Sequence, residues 1–317
     1  MKKSLIALAV AGALTAPMVA QADATLYGSM RVLVADVDGS ELDVQDGVSR
    51  IGIKGDVDLG IDGVKGIYNF ETRLRADTGS FAGDNSGTDD NSRLSNIGIT
   101  GDFGTALAGK MYAPHWLWTS AVTDATWNDA VIGTVRESVL RPRNTIAYIS
   151  PNMSGFQVAG AIVMDASGNA ANLDLGTEDL DVYNLAVKYA ANGLHVAASI
   201  TTTDTGTVEN DNVALAASYS MDAFKFVARY QEEEQGTSAD IETASVGVAY
   251  VTGATTLQAR FTNTEQGTTD ADQWALGVQQ MLGSQGRVFL EYADTETGFM
   301  GAQGNNDRLS VGYRLDF

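Results

Sequence analysis

Along most of the chain, apolar and polar positions alternate with a period of two, which predicts strands with two unlike faces. At the end of the chain Leu309, Val311, Tyr313, Leu315 and Phe317 fall on one face, and Arg308, Ser310, Gly312, Arg314 and Asp316 on the other. Near the start Leu26, Gly28, Met30 and Val32 alternate with Tyr27, Ser29 and Arg31. Further on, Tyr68, Phe70, Thr72 and Leu74 alternate with Asn69, Glu71, Arg73 and Arg75. The filled core of a β-sandwich does not accept Glu71, Arg73 and Arg75 on one strand face. Such a face borders water, either outside the fold or in a wet lumen.

The connections between these strands predict which. Short turns near residues 59–63, 103–104, 151–155, 190–193, 222–223, 252–254 and 283–286 alternate with longer polar segments at 36–47, 76–91, 113–143, 165–181, 203–211, 233–240, 265–271 and 297–306. Such alternation belongs to transmembrane barrels, and it predicts an all-β, sixteen-stranded antiparallel transmembrane β-barrel with both chain ends on one side of the membrane. In that reading the first and last strands pair and remove the sheet edge. Residues 113–143 differ from the other long connections because they hold Trp116, Trp118 and Trp127. A long aromatic connection is neither disordered nor idle, and a loop folded into the lumen satisfies both. Its tryptophans could line a sugar or greasy track, but packing of the loop against the wall is the favoured use. Trp274 is expected in an interfacial aromatic girdle.

Residues 1–22 read as a signal peptide rather than as fold. Lys2 and Lys3 precede an apolar run from Leu5 to Ala16, and Ala20-Gln21-Ala22 offers a cleavage site. The barrel domain is therefore expected over residues 23–317. The chain has no cysteine, so neither a lipid-anchored cysteine nor a disulfide is available. No apolar stretch of ~20 residues follows the leader, which excludes a helical membrane protein. The net charge of -20 excludes nucleic acid as a partner. Asp36-Val37-Asp38-Gly39-Ser40 starts like a calcium loop but lacks the later ligands at that spacing, so neither metal nor cofactor is expected.

Five segments carry a family resemblance: ATLYGSM, SRIGIKGDVDLGIDGVKGIYNFE, SNIGITGDFGTALAGKMYAP, RPRNTIAYISPNMSGF and the terminal RLSVGYRLDF. Together they span the mature chain and resemble Gram-negative general diffusion porins with a long third loop. The resemblance implies a homotrimer in the outer membrane with the third loop folded inward. It also implies that Phe317 is part of the signal read by the barrel assembly machinery. Family geometry sets acids of the inward loop, here Asp124, Asp129 and Glu137, opposite a basic wall. Strand alternation points Arg31, Arg50, Lys54, Arg73, Arg75 and Lys110 inward, and Arg141 and Arg143 lie where the loop rejoins the barrel. Where such porins often carry Gly-Arg after the fifth strand, this chain has Gly109-Lys110, a compact ammonium in place of a planar fork.

The resemblance implies a water-filled channel for small hydrophilic solutes and ions. Excess carboxylate at the mouths favours cations. Acidic runs such as Asp89-Asp90 and Glu232-Glu233-Glu234 could meet lipopolysaccharide through divalent ions. Three other functions compete. A substrate-specific channel for a sugar or anion uses the same barrel. A barrel enzyme needs a histidine paired with serine or aspartate, and the chain has only His115 and His195, which are expected far apart, so no catalytic residue is assigned. The third is a soluble β-sandwich adhesin, which extraction into detergent as a heat-modifiable trimer would dismiss and solubility without detergent would favour.

Overall fold

The computed structural model describes residues 23–80, 92–124, 127–128, 140–164, 180–204, 208–296 and 307–317. The expected leader, residues 1–22, and the loop acids Asp129 and Glu137 lie outside them. The strands are β1 Asp23–Val37, β2 Asp43–Asp46, β3 Arg50–Ile61, β4 Val64–Arg73, β5 Ser92–Gly101, β6 Gly104–Lys110, β7 Thr145–Ile149, β8 Phe156–Val163 and β9 Val182–Ala191. They continue as β10 Leu194–Asp204, β11 Glu209–Met221, β12 Phe224–Gln235, β13 Ser238–Thr252, β14 Thr255–Gln266, β15 Thr269–Leu282, β16 Gly286–Thr295 and β17 Arg308–Asp316.

All of them form one sheet of antiparallel neighbours, and β1 pairs with β17, so the sheet closes on itself. The seventeenth strand does not add a stave to the barrel. β3 pairs with the first half of β1, from Asp23 to Ser29, and β2 pairs with the second half, from Val32 to Ala35. The two are one stave broken between residues 47 and 49, where Val48 takes a left-handed φ of 65°. Sixteen staves therefore close the barrel.

Local chemistry explains the turns on one rim. Asn192-Gly193 joins β9 to β10 with both residues at positive φ, 51° and 80°, as a two-residue hairpin turn with the twist of its strands requires. Two of the expected long connections are in fact just as tight. β12 and β13 meet at Gln235↔Ser238, and β14 and β15 at Gln266↔Thr269, with Gly236 and Gly267 at positive φ. Polarity misleads there because Glu232, Glu234, Glu242, Glu265 and Asp270 are strand residues on an exposed face, where water solvates a carboxylate without breaking the ladder.

The two faces separate as the alternation requires. Val32, Val34, Phe70, Ile97, Leu185, Leu215, Val246, Leu276, Val311 and Tyr313 are exposed on the outside. Trp274 and Tyr292 lie in contact on that outer face, ring centroids 5.2 Å apart. The inner rows hold small or polar residues that are buried: Ser29, Arg31, Ala159, Ala186, Ser199, Arg229, Gln231, Arg260, Thr262, Glu291 and Ser310. An apolar exterior around a polar interior inverts the usual soluble order and is what a bilayer demands.

Candidate functional site: the lumen wall and the loop against it

The inner rows of β1, β3 and β4 carry a band of charge. Register sets Ser29 beside Arg50 and Arg50 beside Arg73, so Arg31, Arg50 and Arg73 share the lumen face. Glu71 is buried among them and organises the band. It accepts from Arg93 Nε at 2.5 Å, and its other oxygen lies 3.7 Å from Arg50 Nε. Arg93 also donates to the Tyr112 hydroxyl at 2.7 Å. Arg141 stands over the Tyr112 ring, 5.5 Å from its centroid. Burial, reinforced by Arg93, pulls the Arg141 guanidinium below its ordinary pKa. Arg314 is within electrostatic reach of both Arg31 and Arg50. Arg50, Arg93 and Arg141 thus gather at the Glu71 carboxylate, and Arg31 and Arg314 extend the band toward Asp316.

The expected wall residues distribute unevenly over this band. Arg31, Arg50 and Arg141 belong to it. Arg73 faces the lumen but pairs with Asp46 of β2 at 3.4 Å. Lys54 lies over the Tyr27 ring, 4.9 Å from its centroid, on the same face. Arg75 has passed the end of β4 and forms a bridge with Ser80. Arg143 is half-buried at the loop's return, where its carbonyl accepts from Thr145. Lys110 is the departure from the expected alternation. Register sets it beside Ser95, in the row of exposed Ile97 rather than that of Asn96. Gly109, at φ 122°, carries the inward position instead. Asp124 closes the short helix Ala121–Asp124, but its carboxylate, like Asp129 and Glu137, is outside what the structure describes.

Alternation missed Arg93. β4 and β5 pair as Glu71↔Leu94 and then Thr72↔Ser92, so Arg93 is the extra residue of a bulge. A bulge changes parity, and it turns Arg93 onto Glu71.

The connection between β6 and β7 packs on the inner rows at two places. A π-helical turn, Trp116–Ser120, follows His115. The His115 amide donates to Asn184 Oδ1 at 3.0 Å, its Nδ1 lies 2.9 Å from the Ser199 hydroxyl, and His195 Nε2 lies 2.9 Å from the Trp118 carbonyl. Trp118 is buried on Ala159, Ala186 and Ala197. Trp127 is buried on Ala275 and Ala293, and the Asn128 amide donates to Glu291 at 2.9 Å. Trp116 stacks on Tyr112 at 4.2 Å. The tryptophans pack, as favoured. The two histidines do approach the same turn, but each serves it as a hydrogen-bonding anchor.

A closed antiparallel barrel with an apolar exterior and a charged interior defines an outer-membrane β-barrel of the porin class. The chain belongs to the Gram-negative porin family, which it matches over residues 7–298. Its place is the outer membrane of a Gram-negative bacterium, and porins are channels rather than enzymes. Over 123 residues it is 37% identical to the major outer membrane protein P.IB of Neisseria meningitidis serogroup B, a match covering 35% of this chain. The chain thus spans about a third, 34%, of the curated relatives it matches. The anion-selective porin from Comamonas acidovorans has the same fold, with a TM-score of 0.75 at 20% identity, over 93% of this chain and 100% of that one. Salmonella typhi OmpF in complex with daunomycin gives 0.74 at 15% identity, over 93% and 97%. The trimer form of Vibrio cholerae OmpT gives 0.67 at 17% identity, over 93% and 99%.

Proposed function

We propose that this chain forms a water-filled channel through which small hydrophilic solutes and ions diffuse passively, with a preference for cations. The observation that carries the channel is the inversion of faces: charged inner rows in a closed barrel require water along its length. The contacts of His115, Trp118, Trp127 and Asn128 with the inner rows support a third loop lying in the lumen and narrowing it. Within this reading the mature chain starts at Asp23, Phe317 serves the barrel assembly machinery, the unit is a homotrimer, and outer acids meet lipopolysaccharide.

The preference for cations rests on the net charge of -20 and on exposed carboxylates at the long-loop rim, such as Glu232, Glu242, Glu265 and Asp270. Mouth charges concentrate counter-ions at low salt. One observation favours a second reading, a channel preferring anions or a particular anion. Among the described residues Arg31, Arg50, Arg93, Arg141 and Arg314 outnumber the carboxylates beside them, Glu71 and Asp316, and the anion-selective porin from Comamonas acidovorans shares the fold. Reversal potentials of single channels in a salt gradient separate the two. A cation-signed potential supports the first reading, whereas an anion-signed potential, or saturable block by a small anion, replaces it with the second.

A further inference from the structure

Two recesses on the inner wall are built alike. In the first, Trp118 lies on Ala159, Ala186 and Ala197 of β8, β9 and β10, and the Lys188 ammonium stands 4.7 Å over its ring. In the second, Trp127 lies on Ala275 and Ala293 of β15 and β16, and the Arg260 guanidinium stands 5.7 Å over its ring. Each is flanked by a wall side chain that bonds the backbone at or next to the tryptophan, His195 in the first and Glu291 in the second. The strands β11–β13 lie between the two recesses.

Register makes the second recess. Gln258, Gly277 and Glu291 form one lateral row over three strands, and Arg260, Ala275 and Ala293 form the next. The small residues leave a hollow of indole size. A Cβ at Gly277 would stand 3.1 Å from the Trp127 ring and 2.7 Å from Gln258 Nε2. Glu291 is fully buried, and one of its oxygens accepts from the Asn128 amide at 2.9 Å, from Asn128 Nδ2 at 3.4 Å and from Gln258 Nε2 at 3.1 Å. A buried carboxylate is costly unless donors converge on it, so this geometry holds Asn128 firmly.

We propose that these two tryptophan sockets, rather than the arginine band around Glu71, fix how far the third loop narrows the channel. Glu291 and Gly277 act as positioning residues that set the largest solute passed. The proposal rests on the channel reading above, which it deepens. It follows from the chemistry of the contacts: indole in an alanine hollow under a cation is held by dispersion and by the ring quadrupole, and salt screens such buried contacts much less than charges set across open water.

The test uses the full mature protein in liposomes, with swelling rates for a series of neutral oligosaccharides of increasing length. Wild-type protein that causes no swelling at all refutes the channel reading itself. Given wild-type swelling, Gly277→Val expels Trp127, and Glu291→Ala removes the acceptor of Asn128. Each is expected to raise the permeation of long sugars relative to short ones severalfold, while Glu291→Gln, which keeps one acceptor oxygen, retains the wild-type ratio. Each variant is first shown to run as a heat-modifiable band. If Gly277→Val fails to assemble, the Ala and Gln variants of Glu291 decide alone. An unchanged ratio in assembled Glu291→Ala, or an equal change in Ala and Gln, overturns the proposal.

Discussion

Phe317 lies on Gly28. A Cβ built on Gly28 would stand 2.5 Å from the Phe317 Cζ and 2.7 Å from the Arg50 carbonyl oxygen. The two backbones also exchange hydrogen bonds: the Gly28 amide donates to the Phe317 carbonyl at 2.8 Å, and the Phe317 amide to the Gly28 carbonyl at 3.1 Å. The last residue thus seals the seam between β1 and β17 through a glycine that leaves room for its ring. Gly28→Val forces the ring off and crowds β3, an overpacking cost of about 1–3 kcal/mol. The expected result is a folded band in electrophoresis that converts to the unfolded form at a lower temperature than wild type. Phe317→Ala, which only uncovers the seam, is expected to convert at a temperature between the two.

On its other side, β17 holds two arginines directly across from each other. Arg287 of β16 pairs in register with Arg314 of β17. Like charges in that position repel, and Asp316 joins them, accepting from Arg287 at 2.6 Å and from Arg314 at 2.8 Å. Asp316→Asn leaves the pair unbridged. The groups are partly exposed, so solvent screens the loss, and a cost of about 1 kcal/mol is expected. Urea unfolding in detergent checks it, and adding Arg287→Gln to Asp316→Asn is expected to recover part of the loss.

The alternation of Leu309 to Phe317 and of Leu26 to Val32 was legible because each strand has one face in water and one in lipid. No tertiary contact competes with a pattern so enforced. The seven short turns were legible for the same reason as Asn192-Gly193: their backbones need particular residues. Four features were not. The break between β2 and β3 is a local irregularity at Val48 that no pattern marks. The two-residue turns after Gln235 and Gln266 hide behind acids that belong to strands beyond the membrane. Arg93 hides in a bulge, where parity fails. The Trp127 socket joins residues 163 positions apart through Asn128 and Glu291. Only the closure of the barrel brings them together.

Glu71 is the counter-charge of Arg50 and Arg93, so its removal tests how the band acts on ions. Glu71→Gln keeps an acceptor for Arg93 and removes one negative charge from a wall already rich in guanidinium. The reversal potential in a salt gradient is expected to move toward anions, and the shift to shrink at ~1 M salt, where the screening length is about 3 Å. Arg93→Ala is a harsher change. It strips a buried carboxylate of its closest partner, at about 3–5 kcal/mol for a fully buried pair, although Arg50 at 3.7 Å remains to limit the loss. Its expected effect is therefore lower thermal stability together with a shift toward cations. A potential unmoved in both variants would separate the band from selectivity.

The docking of the loop is expected to be sensitive to acid through His115. It lies in the connection between β6 and β7, outside the spanning strands, and it is 3% exposed. Burial, helped by the nearby Arg229, pushes its pKa down from 6.5 to about 3. With the loop docked the ring stays neutral, whereas an undocked His115 takes up a proton near its ordinary value. The undocked form therefore binds more protons between pH 6.5 and about 3. Docking is at full strength above that window and weakens as the pH falls through it, by at most about 1.4 kcal/mol per pH unit. His115→Asn cannot take up the proton and can still bond Ser199. Channel current recorded from pH 7 to pH 4 is expected to change or become noisier in the wild type, with a smaller change in the variant. Protonation of carboxylates is common to both proteins and cancels in the comparison. Identical pH profiles for wild type and His115→Asn would show that the docked turn does not feel the charge on His115.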